Sequence, residues 1–242
     1  MKLGCVANGR VTMKKTIGIA LLLVLSPLAQ AQCLQPAAGS VIHARYDVYN
    51  GTQRYSVDFY RGDDQVAWRR GDVISAWSQQ DDQVSLLRVF PQYQRTIWYP
   101  AGDLRALGKS SEWGAVTGWP VPQENGYQRV SDQVAVVQGC EAGEFENAEG
   151  ARGLWLETAG LPARIAENDT VWQLVSLEQV AESDTFARWS AWQSTDFADV
   201  GDNEADPFLR RMIALGFVEH GASGFYQADG TPMQAPAHSH AH

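Results

Sequence analysis

The chain has 242 residues, nine of them tryptophan, and its 28 acidic against 19 basic residues give a formal charge of −9. So acidic a chain repels nucleic acid and anionic membrane surfaces rather than binding them. The length suits one domain with a core of its own and at most an appendage.

The first element is a leader. MKKTIGIALLLVLSPLAQA, from Met13 to Ala31, carries two lysines, an apolar run from Ile17 to Leu25, a break at Pro27 and a small-x-small end at Ala29-Gln30-Ala31. That is the pattern of a secretory signal peptide, with Met13 as the expected start. Its apolar run is about half the roughly 20 residues of a bilayer-spanning helix, and nothing downstream is apolar for that long. An exported, periplasmic product beginning at Gln32 is the expectation, and no transmembrane segment is expected. Lipid attachment at Cys33 is the lesser reading, because Gln32 stands where a lipid-attachment box wants a small residue. Loss of residues 1–31 removes Lys2, Arg10, Lys14 and Lys15 and no acid, so the formal charge moves from −9 to −13. Cys33 and Cys140 then remain, and an even pair in an oxidising compartment is expected to be a disulfide closing a loop of about a hundred residues. No CxxC or nearby histidine spacing favours paired metal or redox thiols.

Strands follow. YDVYNGTQRYSVDFY, residues 46–60, alternates Tyr46, Val48, Tyr55, Val57 and Phe59 with polar partners around Asn50-Gly51, the signal of a type I′ hairpin. VAWRR, VISAW, VSLLRVF and YQRTIWYP continue it, which predicts a six-stranded antiparallel meander as far as Pro100. Residues two apart share a face, so Tyr55, Val57 and Phe59 are expected together, with Ser56, Asp58 and Tyr60 opposite and Asp58 exposed. Residues 101–122 read as one or two short helices with loops. Strands resume at YQRVSDQVAVVQGC, RGLWLET, LPARIAE and DTVWQLVSLEQV. A helix near SDTFARWSAW is expected with Ser183 or Asp184 as its cap. A final helix has Asp206 as cap, Pro207 at its first position, and Phe208, Leu209, Met212, Ile213 and Leu215 along one side. The tail from Ala222 is expected to turn at Asp229-Gly230 and to end in a disordered APAHSHAH.

The fold class these elements predict is α+β, mainly antiparallel β. The meander from Arg54 to Pro100, together with the strand from Leu154 to Glu157, the Gly160-Leu161-Pro162 turn and the strands from Arg164 onward, resembles the periplasmic lipoprotein-carrier superfamily. These are the LolA/LolB-like half-barrels, to which the N-terminal domain of the RseB/MucB stress regulators also belongs. The resemblance spans roughly residues 40 to 180. It implies a strongly curved sheet clasping a few helices and a habit of binding apolar ligands, and it transfers no individual residue. The expected organisation is a signal peptide over 1–31, the half-barrel over 32–182, a helical region over 183–221 that departs from the family, and the tail 222–242.

In such a fold the gap between sheet and helices accepts an acyl chain or an apolar peptide, that is, a lipid or a lipidated or hydrophobic protein segment. Val57, Phe59, Trp68 and Trp77 are the candidate lining. Taken singly, Trp68, Trp77, Trp98 and Trp172 read as plain core, and only as a set do they point to a cavity. Catalysis is not expected, for GASGF at Gly221 has the wrong spacing for a nucleophile elbow and no metalloprotease, P-loop or dinucleotide motif occurs. His43 and His220, the histidines outside the tail, sit in no recognisable constellation. No cofactor is expected. Two stretches have metal-ligand chemistry. One is the acidic run Asp196, Asp199, Asp202, Glu204 and Asp206, which lacks the order of a calcium loop; the other is the tail His238, His240 and His242. They support an alternative in which a periplasmic sensor or assembly factor works through a protein partner or metal. Oligomeric state is not legible.

Overall fold

The computed structural model describes residues 1, 33–34, 37–109, 112–119, 122, 126–167, 169–203 and 205–218. The leader beyond Met1, the tail, Glu204, His220, His238, His240 and His242 lie outside the described residues.

The meander is present: β1 (Ser40–Asn50), β2 (Gln53–Arg61), β3 (Gln65–Arg70), β4 (Val73–Gln80), β5 (Gln83–Phe90) and β6 (Arg95–Tyr99) pair in sequence, each antiparallel to the next. Its first turn differs from expectation. Asn50 pairs with Gln53, so the connecting residues are Gly51 and Thr52, and only Gly51 has positive φ, +56°. That is the signature of a type II′ turn, which needs glycine at its first position alone. The type I′ signature, with both φ positive, falls instead at Asp81 and Asp82.

Two short helices follow, α1 (Ala101–Ala106) and α2 (Trp113–Val116). The second run of strands is β7 (Gln128–Arg129), β8 (Ala135–Val137), β9 (Cys140–Glu146), β10 (Arg152–Leu156), β11 (Leu161–Glu167) and β12 (Thr170–Ala181). After α3 (Phe186–Ser190) come a short strand, β13 (Gln193–Asp196), and α4 (Pro207–Ala214). Thr185 precedes α3, in place of the Ser183 or Asp184 cap, because Glu182–Asp184 forms a 3-10 turn of its own.

Among the described residues the thirteen strands make one sheet, ordered β13-β6-β5-β4-β3-β2-β1-β12-β11-β10-β9-β7, with β8 also on β9. The fold is therefore an α+β arrangement dominated by an antiparallel sheet. Its end strands, β13 and β7, do not pair with each other, so the sheet is open. The junction of the two runs is long-range: β1 lies between β2 and β12, with a bulge at Arg45/Tyr46.

Both faces are covered. Phe59, Trp68, Ser75, Arg88 and Ile97 are successive register partners and so share a face. On that face Tyr46, Val57, Phe59 and Val66 pack with Val116 of α2, and Phe90 and Ile97 pack with Leu104 of α1 and Phe208, Leu209 and Met212 of α4. The opposite face buries Tyr60, Ala67, Ile74 and Val89 under Phe186 and Trp189 of α3. On that face Asp58, expected to be exposed, is only 8% so, with His43 and Arg45 of β1 bonded to its carboxylate. Leu215 departs from the predicted apolar side of the last helix: it follows α4 and is 54% exposed.

Candidate functional site: an aromatic groove

Residues two apart on a strand share a face, so Val66 and Trp68 of β3 stand together, and register adds Trp77 of β4 opposite Val66. Trp68 is held by its indole N–H, which donates to the Val116 carbonyl of α2 at 3.3 Å. Gly118 follows α2 with φ +100°, and a Cβ there would lie 2.7 Å from the Trp68 ring. Glycine is thus required by backbone and by space alike. The tight passage lets Trp119 lie over the sheet, its ring centroid 4.7 Å from Tyr46, 5.0 Å from Trp68, and 5.5 Å from both Phe59 and Trp172. Such tilted and edge-on contacts are the favourable aromatic geometry.

Between these rings is a cavity of about 500 Å3, lined by Trp68, Trp77, Trp119, Trp155, Trp172 and Arg70 among others. A neighbouring cavity of about 420 Å3 shares Trp68, Arg70 and Trp77 and reaches Arg88 and Phe217. Together they form a groove over β3 and β4, with volumes in the range of small-molecule sites, roughly 300–1,000 Å3. Trp155 is 3% exposed, and its indole N–H has no hydrogen-bond partner among the described residues.

Of the four lining residues expected from sequence, Trp68 and Trp77 are half-buried and line the groove. Val57 and Phe59 are fully buried in the core beneath it and do not line either cavity. Trp172 lines the groove as well, whereas Trp98 stands 42% exposed on the opposite face, across from Leu87. Arg70 and Trp119 belong to the groove and went unrecognised in the sequence. Arg70 is legible in retrospect, being two residues beyond Trp68 and hence on its face.

The disulfide is formed: Cys33 and Cys140 are bonded across a sequence separation of 107, with Cys140 fully buried beside the groove's core. It fastens the segment before β1 to the start of β9.

His43 does have a constellation, contrary to the sequence reading. On the face away from the groove its Nε2 lies 2.9 Å from Asp58 Oδ1 and its Nδ1 2.7 Å from Glu178 Oε1, and its ring stacks on Tyr60 at 4.4 Å. Arg45 Nε donates to the same Asp58 oxygen at 2.8 Å. Burial alone raises the Asp58 carboxyl, but the hydrogen bonds from His43 and Arg45 hold it below the usual carboxylate range. Sequence spacing hides the group because Glu178 arrives from β12. No nucleophile adjoins it in these contacts, and its chemistry is that of a clasp between three strands.

Two residues of the acidic run, Asp196 and Asp206, are built into local structure. Asp196 Oδ1 accepts from the Ala198 N–H at 3.0 Å, and Asp206 caps α4 by accepting from the Phe208 N–H at 2.8 Å. Asp206 also accepts from Arg95 Nη2 at 2.9 Å. Among the described residues no group of three His, Cys, Asp or Glu side chains is placed to hold a metal ion. No described helix is long and apolar enough to cross a membrane.

No protein-family model matches this chain, and no curated protein does. Among solved structures it is similar to the complex of Pseudomonas aeruginosa MucA/MucB, at 11% identity and a TM-score of 0.35. The match covers 62% of this chain and 55% of that one, so the chain spans about half the length of the structure it matches. At this identity and score the likeness carries no argument about function.

Proposed function

We propose that this is an exported, non-catalytic binding protein that holds an apolar ligand, a lipid or a hydrophobic protein segment, in the tryptophan-lined groove over β3 and β4. The observation that carries the reading is the groove itself: about 500 Å3 of space walled by five tryptophans on one face of an open sheet. Tryptophan combines a large apolar surface with a polar edge, which suits a site that is filled and emptied. In this reading the sheet curves around its helices as a half-barrel, and the unit from residue 32 to 182 forms the carrier proper. The leader directs the chain to the periplasm, consistent with the Cys33–Cys140 disulfide, and is removed after Ala31.

The test is uptake of the uncharged probe N-phenyl-1-naphthylamine, followed by its own fluorescence and by tryptophan quenching. Saturable binding is expected, and Trp77→Ala, a half-buried wall residue, should weaken it about tenfold, the loss of one large apolar contact. Val57→Asp is unsuitable, since an unpaired carboxylate at a fully buried position unfolds the core. Absence of any saturable uptake by folded protein would mean the groove is a packing fault and the carrier reading is wrong.

A further inference from the structure

The charge pattern around the groove specifies the head of its ligand. Neither cavity has a carboxylate among its described lining residues, although the chain carries 28 acidic residues. Both include Arg70, on the wall they share. Its guanidinium has no hydrogen bond or ion pair among the described residues, whereas Arg45, Arg54, Arg95 and Arg152 each engage a carboxylate. Arg88 adds a second cationic side chain to the wall of the smaller cavity. In a chain whose formal charge is −9, a guanidinium unpaired among the described residues, at an aromatic groove whose described lining holds no acid, is complementary to an anion tethered to an apolar body. The planar fork of arginine matches a carboxylate or phosphate in a two-point contact.

We infer that the groove takes an anionic amphiphile: a single molecule whose acyl chain lies among Trp68, Trp77, Trp119 and Trp172 and whose carboxylate or phosphate head meets Arg70. This rests on the binding reading above and adds the ligand's charge to it.

The experiment compares monomeric C12 probes on the full chain, each below its micellar concentration: dodecanoate, dodecyl phosphate, neutral dodecyl maltoside and cationic dodecyltrimethylammonium, with acetate and inorganic phosphate as heads lacking a tail. Calorimetry and tryptophan fluorescence read the affinities. Dodecanoate or dodecyl phosphate should bind about tenfold tighter than dodecyl maltoside at low salt, a preference that shrinks as salt is added. The ratio between those two anions tells a fatty-acid head from a phospholipid-type head. Arg70→Gln should bring the preference for the anionic probes to within about twofold, and Arg70→Lys should restore part of it. Arg70 is exposed, so the variants are expected to fold, and matching thermal melts check this. Equal affinity for anionic, neutral and cationic probes overturns the inference and leaves the binding function standing. A preference that survives Arg70→Gln overturns the assignment to Arg70. Failure of every tailed probe to bind removes both readings, and binding of acetate or phosphate alone shows an adventitious ion site only.

Discussion

Asp58 joins strands that are far apart in sequence, because its carboxylate on β2 accepts from His43 and Arg45 on β1, and His43 in turn reaches Glu178 on β12. A carboxyl whose pKa is depressed on folding contributes stability that is present above its unfolded pKa of about 4 and is lost as pH falls through the lower folded value. Asp58→Asn keeps the shape and removes the charge. It should cost about 1–3 kcal/mol at neutral pH, the range for a damaged buried hydrogen-bonded pair. It should also flatten the acid-side loss of stability below about pH 4. Urea unfolding at pH 7 and pH 3 measures both, and an unchanged midpoint at pH 7 would remove the clasp from the account. Asp103 on α1 runs the other way: burial, then the nearby charge of Asp196, push its carboxyl up. Its ionised form therefore opposes folding above the raised pKa, the penalty fading as pH falls, and Asp103→Asn is expected to raise the melting temperature at pH 7 and to leave it unchanged in acid. Sequence showed neither group, since alternation predicted Asp58 to face solvent and took no account of the His43 and Arg45 side chains that reach it from β1.

Elements with strong local signals were legible. Asp206-Pro207 starts α4 as its cap chemistry requires, and Phe208, Leu209 and Met212 are buried as the periodicity demands. What sequence could not supply is the partner: Arg95 of β6 binds the cap carboxylate and lies over the Phe208 ring at 4.7 Å. Asp206→Ala loses the cap and the ion pair together and should cost about 1–2 kcal/mol, measured by denaturation. A cost near zero would show that α4 is held by its apolar face alone. Two strands were missed for physical reasons. CEAGEFE offers two small residues and three acids, with little β propensity, yet forms β9 because Ala142, Gly143 and Phe145 sit in the register of β10. QSTD has no apolar residue and becomes β13 only through parallel pairing with Arg95–Trp98.

At the scale of the whole molecule, the meander was readable because each strand pairs with its neighbour, and turn chemistry announces such pairs. The β1–β12 junction was not, since nothing local to Ser40–Asn50 or Thr170–Ala181 says that they meet. The groove was half readable for the same reason: Trp68 and Trp77 lie on adjacent strands, but Trp155 and Trp172 reach it only once that junction brings the two runs of strands together, and Trp119 only through the passage at Gly118. The Cys33–Cys140 disulfide acts across this junction, tying the approach to β1 to the first residue of β9. Closing a loop with a sequence separation of 107 stabilises by about 4–5 kcal/mol in the chain-entropy model, and removing such a bond typically costs about 2–5 kcal/mol. At about 2–4 °C per kcal/mol for a domain of this size, the Cys33→Ala/Cys140→Ala protein should melt about 5–15 °C below the oxidised wild type. Because the bond anchors the strands that carry Trp155, uptake of the uncharged probe should weaken well before global unfolding as the variant is warmed. Coincident loss of probe binding and of structure would mean that the second run of strands is held by its sheet pairing, with the disulfide adding only to the stability of the whole.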